Sequence, residues 1–219
     1  MRLTRLAVTL SLAIAASRLD AQAWAYPAMQ IPTVSTRDYL GALVSASGTS
    51  ALFQWREGLN RSSHIGLDLG LADRGGRNGG IGLFAAGNFG KQLTRASSDM
   101  PLDLLFTAGV GAAFGDGFTT LRIPFGVSGG HRFAIDNNMA ITPFVHPRVS
   151  LDFVSVDAGR DGRDGDSDLS LDFDLGVDWE LNRNVSFRAA GTFTGNRFSG
   201  DDGFAIGFVW RPNGLARMR

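Results

Sequence analysis

The 219-residue chain contains no cysteine. No disulfide framework or thiolate metal site can hold it together, so its stability has to come from backbone pairing and burial. Its three histidines are too few for a closed zinc site of the usual kind without cysteine partners, and no cofactor is expected. Charge of one sign is missing as well: 21 basic residues meet 21 acidic ones, which gives no reason to expect a nucleic-acid partner. Lysine is almost absent. Lys91 is the only one, and the arginines that replace it form better bidentate pairs with carboxylates in a crowded interior. After the first residues no run reaches the roughly 18 continuous apolar residues of a transmembrane helix. A membrane crossing, if there is one, must use strands that satisfy each other's backbone groups in a closed barrel.

What is present points the same way. The 29 glycines, 16 phenylalanines and seven prolines favour many strands and turns over helices. Residues 1–23 read as a secretory signal, with Arg2 and Arg5 at a charged start, an apolar run over 6–16 and a small-x-small site at Ala21-Gln22-Ala23. Its removal takes away Arg2, Arg5, Arg18 and Asp20, leaving 18 basic and 20 acidic residues. Residues 24–37, with Pro27 and Pro32, look like an irregular periplasmic lead-in, and 212–219 form a C-terminal tail.

Between these lies the most regular stretch, DLSLDFDLGVDWEL at 168–181. Every odd position is apolar and every even one is acidic, serine or glycine. Because strand side chains alternate between faces, this is an extended segment with one greasy and one polar side. Its length is sufficient to cross a bilayer, which takes about 9 to 11 residues when tilted. Similar alternation marks strands at 38–45, 50–57, 64–72, 80–90, 104–114, 119–132, 139–153, 185–194 and 203–211. The reading is all-β: an antiparallel up-and-down transmembrane β-barrel over 38–211 with ten strands. Eight is the rival count, because the first two strands are weakly patterned and Leu52 interrupts a polar face. Pro143 and Pro147 in one strand predict a bulge or a missing hydrogen bond.

Two details test this layout. Trp55, Trp179 and Trp210 fall near the ends of even strands, as an aromatic girdle at one interface requires. In the hairpin at 182–184, keeping Trp179 and Phe187 on one face demands an odd loop, and a three-residue loop pairs Asp178 with Arg188. Parity alone does not say which face is inside. The glycine-rich polar face and the tryptophan placement favour lipid outside.

The segments at 123–133 (IPFGVSGGHRF) and 141–153 (ITPFVHPRVSLDF), the signal, and the closing FAIGFVW at 204–210 resemble the small outer-membrane β-barrel domain proteins of Gram-negative bacteria. The resemblance implies the bacterial outer membrane as location, its lipid as surroundings and the barrel assembly machinery as partner. In that family the chain often ends on an aromatic residue, whereas RPNGLARMR follows Trp210 here.

The expected lumen cluster is Asp172, Asp174 and Asp178 with Arg188, together with His146, Arg148 and Asp152 from a neighbouring strand. Its charges read either as the lining of a cation-selective lumen or, in a barrel this small, as a plug of ion pairs. Catalysis would need His64, Asp68, His146 and Asp152 to converge, and neighbours on one strand face stand roughly 7 Å apart. The loop DAGRDGRDGDSD, through Asp157, Asp161, Asp164 and Asp166, resembles calcium-binding loops. However, Arg160 and Arg163 sit among its carboxylates and the spacing matches no EF-hand. The functional expectation is a non-enzymatic barrel with a structural or surface-interaction role and at most a narrow pore, its ligand unassigned. Two alternatives stand beside it: a membrane-embedded hydrolase, and a secreted soluble barrel with its faces inverted around a small apolar ligand.

Overall fold

The structure, a computed structural model, describes residues 26–46, 48–73, 81–115, 118–135, 138–157, 163–195 and 202–212. These form β1 (Arg37–Ser45), β2 (Thr49–Asn60), β3 (Ser63–Asp73), β4 (Ile81–Thr94), β5 (Asp103–Gly115), β6 (Phe118–Gly130), β7 (Phe133–Ala134), β8 (Ala140–Asp157), β9 (Arg163–Glu180), β10 (Val185–Thr194) and β11 (Gly203–Trp210). Every pairing is antiparallel. β1 pairs with β11 and β6 with β8, so the sheet closes on itself. The short β7 continues β6 in the same register against β8, and the two make one wall strand. The result is an all-β up-and-down barrel of ten walls, the larger of the two expected counts. No helix occurs among the described residues.

Three gaps interrupt the ladders, and each has the same cause. Continuing the β6–β8 register places Val127 opposite Pro147 and His131 opposite Pro143; continuing β5–β6 places Gly109 opposite Pro124. Proline has no N–H to give, so pairing lapses where it sits and resumes in unchanged register beyond it. The expected disturbance in the proline-bearing strand is therefore missing bonds rather than a bulge. True register shifts occur elsewhere, at Gly58/Asn60 and Gln92/Thr94.

One expected loop is mostly strand. Residues 156–167 read as a long loop because aspartate and glycine crowd there, yet Val154 pairs with Asp166, Ser155 with Gly165 and Asp157 with Arg163. β8 and β9 thus run 18 residues each, because alternation with polar residues on both faces is still compatible with pairing above the rim.

The faces are unambiguous. Leu169, Leu171, Phe173, Leu175, Val177 and Trp179 all point out and are exposed, while Ser170, Asp172, Asp174, Asp178 and Glu180 of the same strand are buried inside. The inverted soluble arrangement is not the one found. At the end of the barrel where β1 begins and β11 ends, here called the terminal end, Tyr39 lies opposite both Trp55 and Trp210, with Trp179 opposite Phe187. Tyr39 stacks on Trp210 at 5.5 Å, and Phe187 meets Phe208 edge-on at 5.7 Å. This is the aromatic belt expected from the tryptophan positions.

Inward glycines make room for large neighbours. A Cβ at Gly70 would lie 2.0 Å from the ring of Phe84, and one at Gly176 2.3 Å from that of Phe144. Both rings lie flat across the strand beside them, in space that a methyl group would fill.

The largest departure from expectation concerns residues 24–37. A lead-in outside the barrel is what two prolines and a lack of alternation suggest, but the described part, 26–36, lies inside the lumen. Pro27, Met29, Gln30, Ile31, Pro32 and Ser35 are all buried. A ten-stranded barrel is wider than the eight-stranded kind whose side chains alone fill it, and this segment occupies the surplus.

Candidate functional site

The lumen is the candidate site, and it is built in three levels from the ends of the β8–β9–β10 wall. At the terminal end, Asp178 on β9 sits directly opposite Arg188 on β10, the register derived from the hairpin. Arg188 Nε donates to Asp178 Oδ1 at 2.8 Å, and Ser186 Oγ donates to the same oxygen at 3.0 Å. Arg211, one residue past β11, turns inward and becomes fully buried. Its Nη2 donates to Asp178 Oδ2 at 3.2 Å and its Nε lies 3.6 Å from Asp38. Nearer the rim, Arg132 pairs with Glu180 at 2.6 Å.

At mid-height, Arg148 Nη2 donates to Asp174 Oδ1 at 2.9 Å. His146 Nε2 lies 2.8 Å from Thr107 Oγ1, and its Nδ1 lies 3.4 Å from Asp174 Oδ2. Across the lumen Arg56 pairs with Asp68, which also accepts from Gln54 Nε2 at 3.2 Å. At the loop end, Arg122 bridges Asp172 and Asp152, with Ser150 and Ser170 filling the remaining positions: Arg122 Nη2 donates to Ser150 Oγ at 2.7 Å, and Ser170 Oγ donates to Asp152 Oδ2 at 2.9 Å. Buried charges in such a setting persist only when paired and hydrogen-bonded. Every carboxylate of the expected cluster has an arginine partner here.

The N-terminal segment threads between these levels. Ala28 N–H donates to Asp174 Oδ2 at 3.1 Å, and Arg188 Nη1 donates to the Met29 carbonyl at 2.6 Å. Ser128 Oγ donates to the Gln30 carbonyl at 2.7 Å, Gln54 Nε2 to the Ala28 carbonyl at 3.2 Å, and Ser35 N–H to His64 Nδ1 at 3.2 Å. Tyr26 stacks on Phe84 with centroids 4.9 Å apart and donates its hydroxyl to Asp68 at 3.2 Å. Burial first, and the Asp68 charge second, push the Tyr26 phenol well above its ordinary value. Met29 and Ile31 join Leu40, Ala42, Val44, Leu52, Phe84, Phe144 and Val209 in one buried apolar cluster. Met29 has a φ of 52°, in the left-handed region that a non-glycine residue enters only under strain.

Beside Tyr26, His64, Thr107 and Arg148 a cavity of about 50 Å³ remains, room for a few water molecules. Arg148 Nε and Asn88 Nδ2, both of residues lining it, have no hydrogen-bond partner among the described residues.

Of the residues considered for catalysis, His64, Asp68 and His146 line this cavity and Asp152 does not. Asp68 is tied to Arg56, Asp152 to Arg122, and His64 to the backbone of Ser35. His146 does sit between a hydroxyl and a carboxylate, Thr107 and Asp174. However, that carboxylate also takes Arg148 and Ala28 N–H, and the adjoining cavity measures only about 50 Å³. Of the calcium-loop candidates, Asp161 lies outside the described residues, as do the side chains of Asp157 and Asp164; Asp166 is exposed. No cluster of metal-ligating side chains occurs among the described residues.

Sequence reading missed Arg211, taken only as the end of the barrel, and the whole of 26–36. The signal for the latter was present: Leu52, Phe84 and Phe144 lie on inward parity, and large apolar side chains in a polar lumen need an apolar partner there.

No protein-family model matches the chain, and a search of curated proteins finds no match. Among solved structures the chain is similar to a bacterial polysaccharide outer membrane secretin, at 10% identity and a TM-score of 0.45 over 82% of this chain and 66% of that one. It is similar to the KdgM porin at 6% identity and 0.41, over 80% and 98%. The N-terminal β-barrel domain of Pseudomonas aeruginosa OprF gives 10% and 0.37, over 80% and 96%. The chain spans about two thirds of the secretin's length. These are likenesses of fold to outer-membrane β-barrels, and the closed ten-strand barrel itself stands on the hydrogen-bonded ring of the chain.

Proposed function

We propose that the protein is an outer-membrane β-barrel with a structural or surface-interaction role, closed through its lumen at rest. One observation carries this reading: the chain is inside out. Leucine, phenylalanine and isoleucine rows stand exposed around the wall, while arginine–aspartate pairs fill the interior. In water such an exterior would far exceed the apolar patch a monomer tolerates; against lipid it is the required surface. The aromatic belt at the terminal end supports an interface there, and outer-membrane lipid is the partner that fits. Delivery by the barrel assembly machinery follows from the same reading. The sealed lumen supports interaction through the outer loops over bulk transport.

The test is fractionation of cells expressing the full chain, with a carbonate wash and a gel run with and without boiling. The expected result is retention in the outer membrane and a mobility that shifts on boiling. Release as a soluble protein would overturn the reading.

A further inference from the structure

Residues 26–36, YPAMQIPTVST, carry no charge, yet they occupy the most highly charged space in the molecule. Among the described residues the interior buries eight carboxylates and five guanidiniums. Those charges pair with one another from strand to strand, as in Arg122 with Asp152 and Asp172, or Arg188 with Asp178. The wall therefore keeps its ion pairs whether or not the segment is there. What holds the segment is of another kind and includes no ion pair: backbone bonds such as Ala28 N–H to Asp174 and Arg188 to the Met29 carbonyl, the hydroxyls of Tyr26 on Asp68 and Ser35 on Asp38, each of which water can replace, and the apolar contacts of Met29, Ile31 and the Tyr26 ring. The strained φ of Met29 is relieved once the segment leaves. Beside it lie the cavity and two donors, Arg148 Nε and Asn88 Nδ2, that have no partner among the described residues, and a polar space of this kind suits water.

We propose that residues 26–36 are a removable stopper, and that the barrel with this segment displaced is a pore for small cations. The proposal rests on the membrane-spanning reading above and goes beyond it in assigning a latent transport activity. Ten strands enclose more space than their side chains fill, so displacement leaves a water-filled passage. Its excess of carboxylates over guanidiniums favours cations.

The experiment is single-channel recording in planar bilayers on three forms: the full chain, a deletion of residues 26–35, and Met29→Asp, which leaves the wall untouched but puts an unpaired carboxylate on the stopper. Folding of each is checked by boiling-dependent gel mobility. The expected result is a full chain closed except for brief openings, and variants whose open time rises by about tenfold or more, with a reversal potential on the cation side in a KCl gradient. A folded variant that stays closed, or that prefers chloride, overturns the proposal. So does failure of both variants to form the barrel, since the segment is then a structural strut. A full chain that never inserts would instead sink the membrane reading, and the pore with it.

Discussion

The two halves of the lumen are built on different chemistry. The wall of β6, β8, β9 and β10 turns in Arg122, His146, Arg148, Asp172, Asp174, Asp178 and Arg188, all buried and each paired with an opposite charge or a hydrogen-bond partner. The wall of β11, β1 and the loop-side half of β2 turns in Ala205, Val209, Leu40, Ala42, Val44 and Leu52. The N-terminal segment lies between them and answers each in kind. It offers its backbone to Asp174 and Arg188 on one side, and Met29 and Ile31 to the apolar cluster on the other. An extended peptide suits this task because its polar backbone and its side chains can face different walls. A lumen lined evenly with ion pairs would have no place for Met29.

Breaking the charged half should cost most. Arg122→Ala leaves Asp152 and Asp172 buried without their shared guanidinium, and loss of one partner of a buried pair costs about 3–5 kcal/mol. Urea unfolding in detergent micelles, followed by gel mobility, should show it. The apolar half should give less: Leu52→Ala opens a cavity where the segment packs, at about 2–3 kcal/mol, in the same assay. Gly176→Ala probes the close packing within the charged wall, where Phe144 on β8 lies opposite Gly176 on β9. Its methyl group meets the Phe144 ring, so overpacking of about 1–3 kcal/mol is expected, and a double variant with Phe144→Leu should recover part of it.

The smallest effect is tied to pH. The Tyr26 phenol is raised above its ordinary value of 10.0 by burial and Asp68, so the folded state holds the proton more tightly than the unfolded one. That contribution is fully present below pH 10 and is lost as pH rises beyond it. Tyr26→Phe should lose about 1 kcal/mol at neutral pH and become less sensitive to alkali than the parent. Equal sensitivity of the two would remove Tyr26 as the cause.

The same contrast explains what was legible in the sequence. On β9 the alternation of aspartate with leucine, phenylalanine and tryptophan made legible the strand, its faces and even the opposition of Asp178 to Arg188, because apolar residues that must share one face set the parity of the hairpin loop. On β1 the inward residues Leu40, Ala42 and Val44 are as apolar as the outward ones, so no alternation survives to be read. Leu52 looked like an error in a polar face for the same reason. The partner of these residues is a segment without periodicity, held by its backbone, and backbone hydrogen bonds leave no trace in side-chain pattern. Arg211 lay outside the alternating run and gave no sign that it would fold back beneath Asp178. The continuation of β8 and β9 into 156–167 was hidden because polar residues occupy both faces above the apolar rows.

The central claim is that lipid meets the apolar rows and a sealed, polar interior lies behind them. In a chain without cysteine, single cysteines can be placed along β9 from Ser170 to Val177, spin-labelled, and tested in membranes with oxygen and with a water-soluble paramagnetic reagent. The account predicts a period of two. Leu171, Phe173, Leu175 and Val177 should be open to oxygen and closed to the aqueous reagent, while Ser170, Asp172 and Asp174 should be shielded from both. Aqueous access at the leucine positions, or no periodicity, would contradict it.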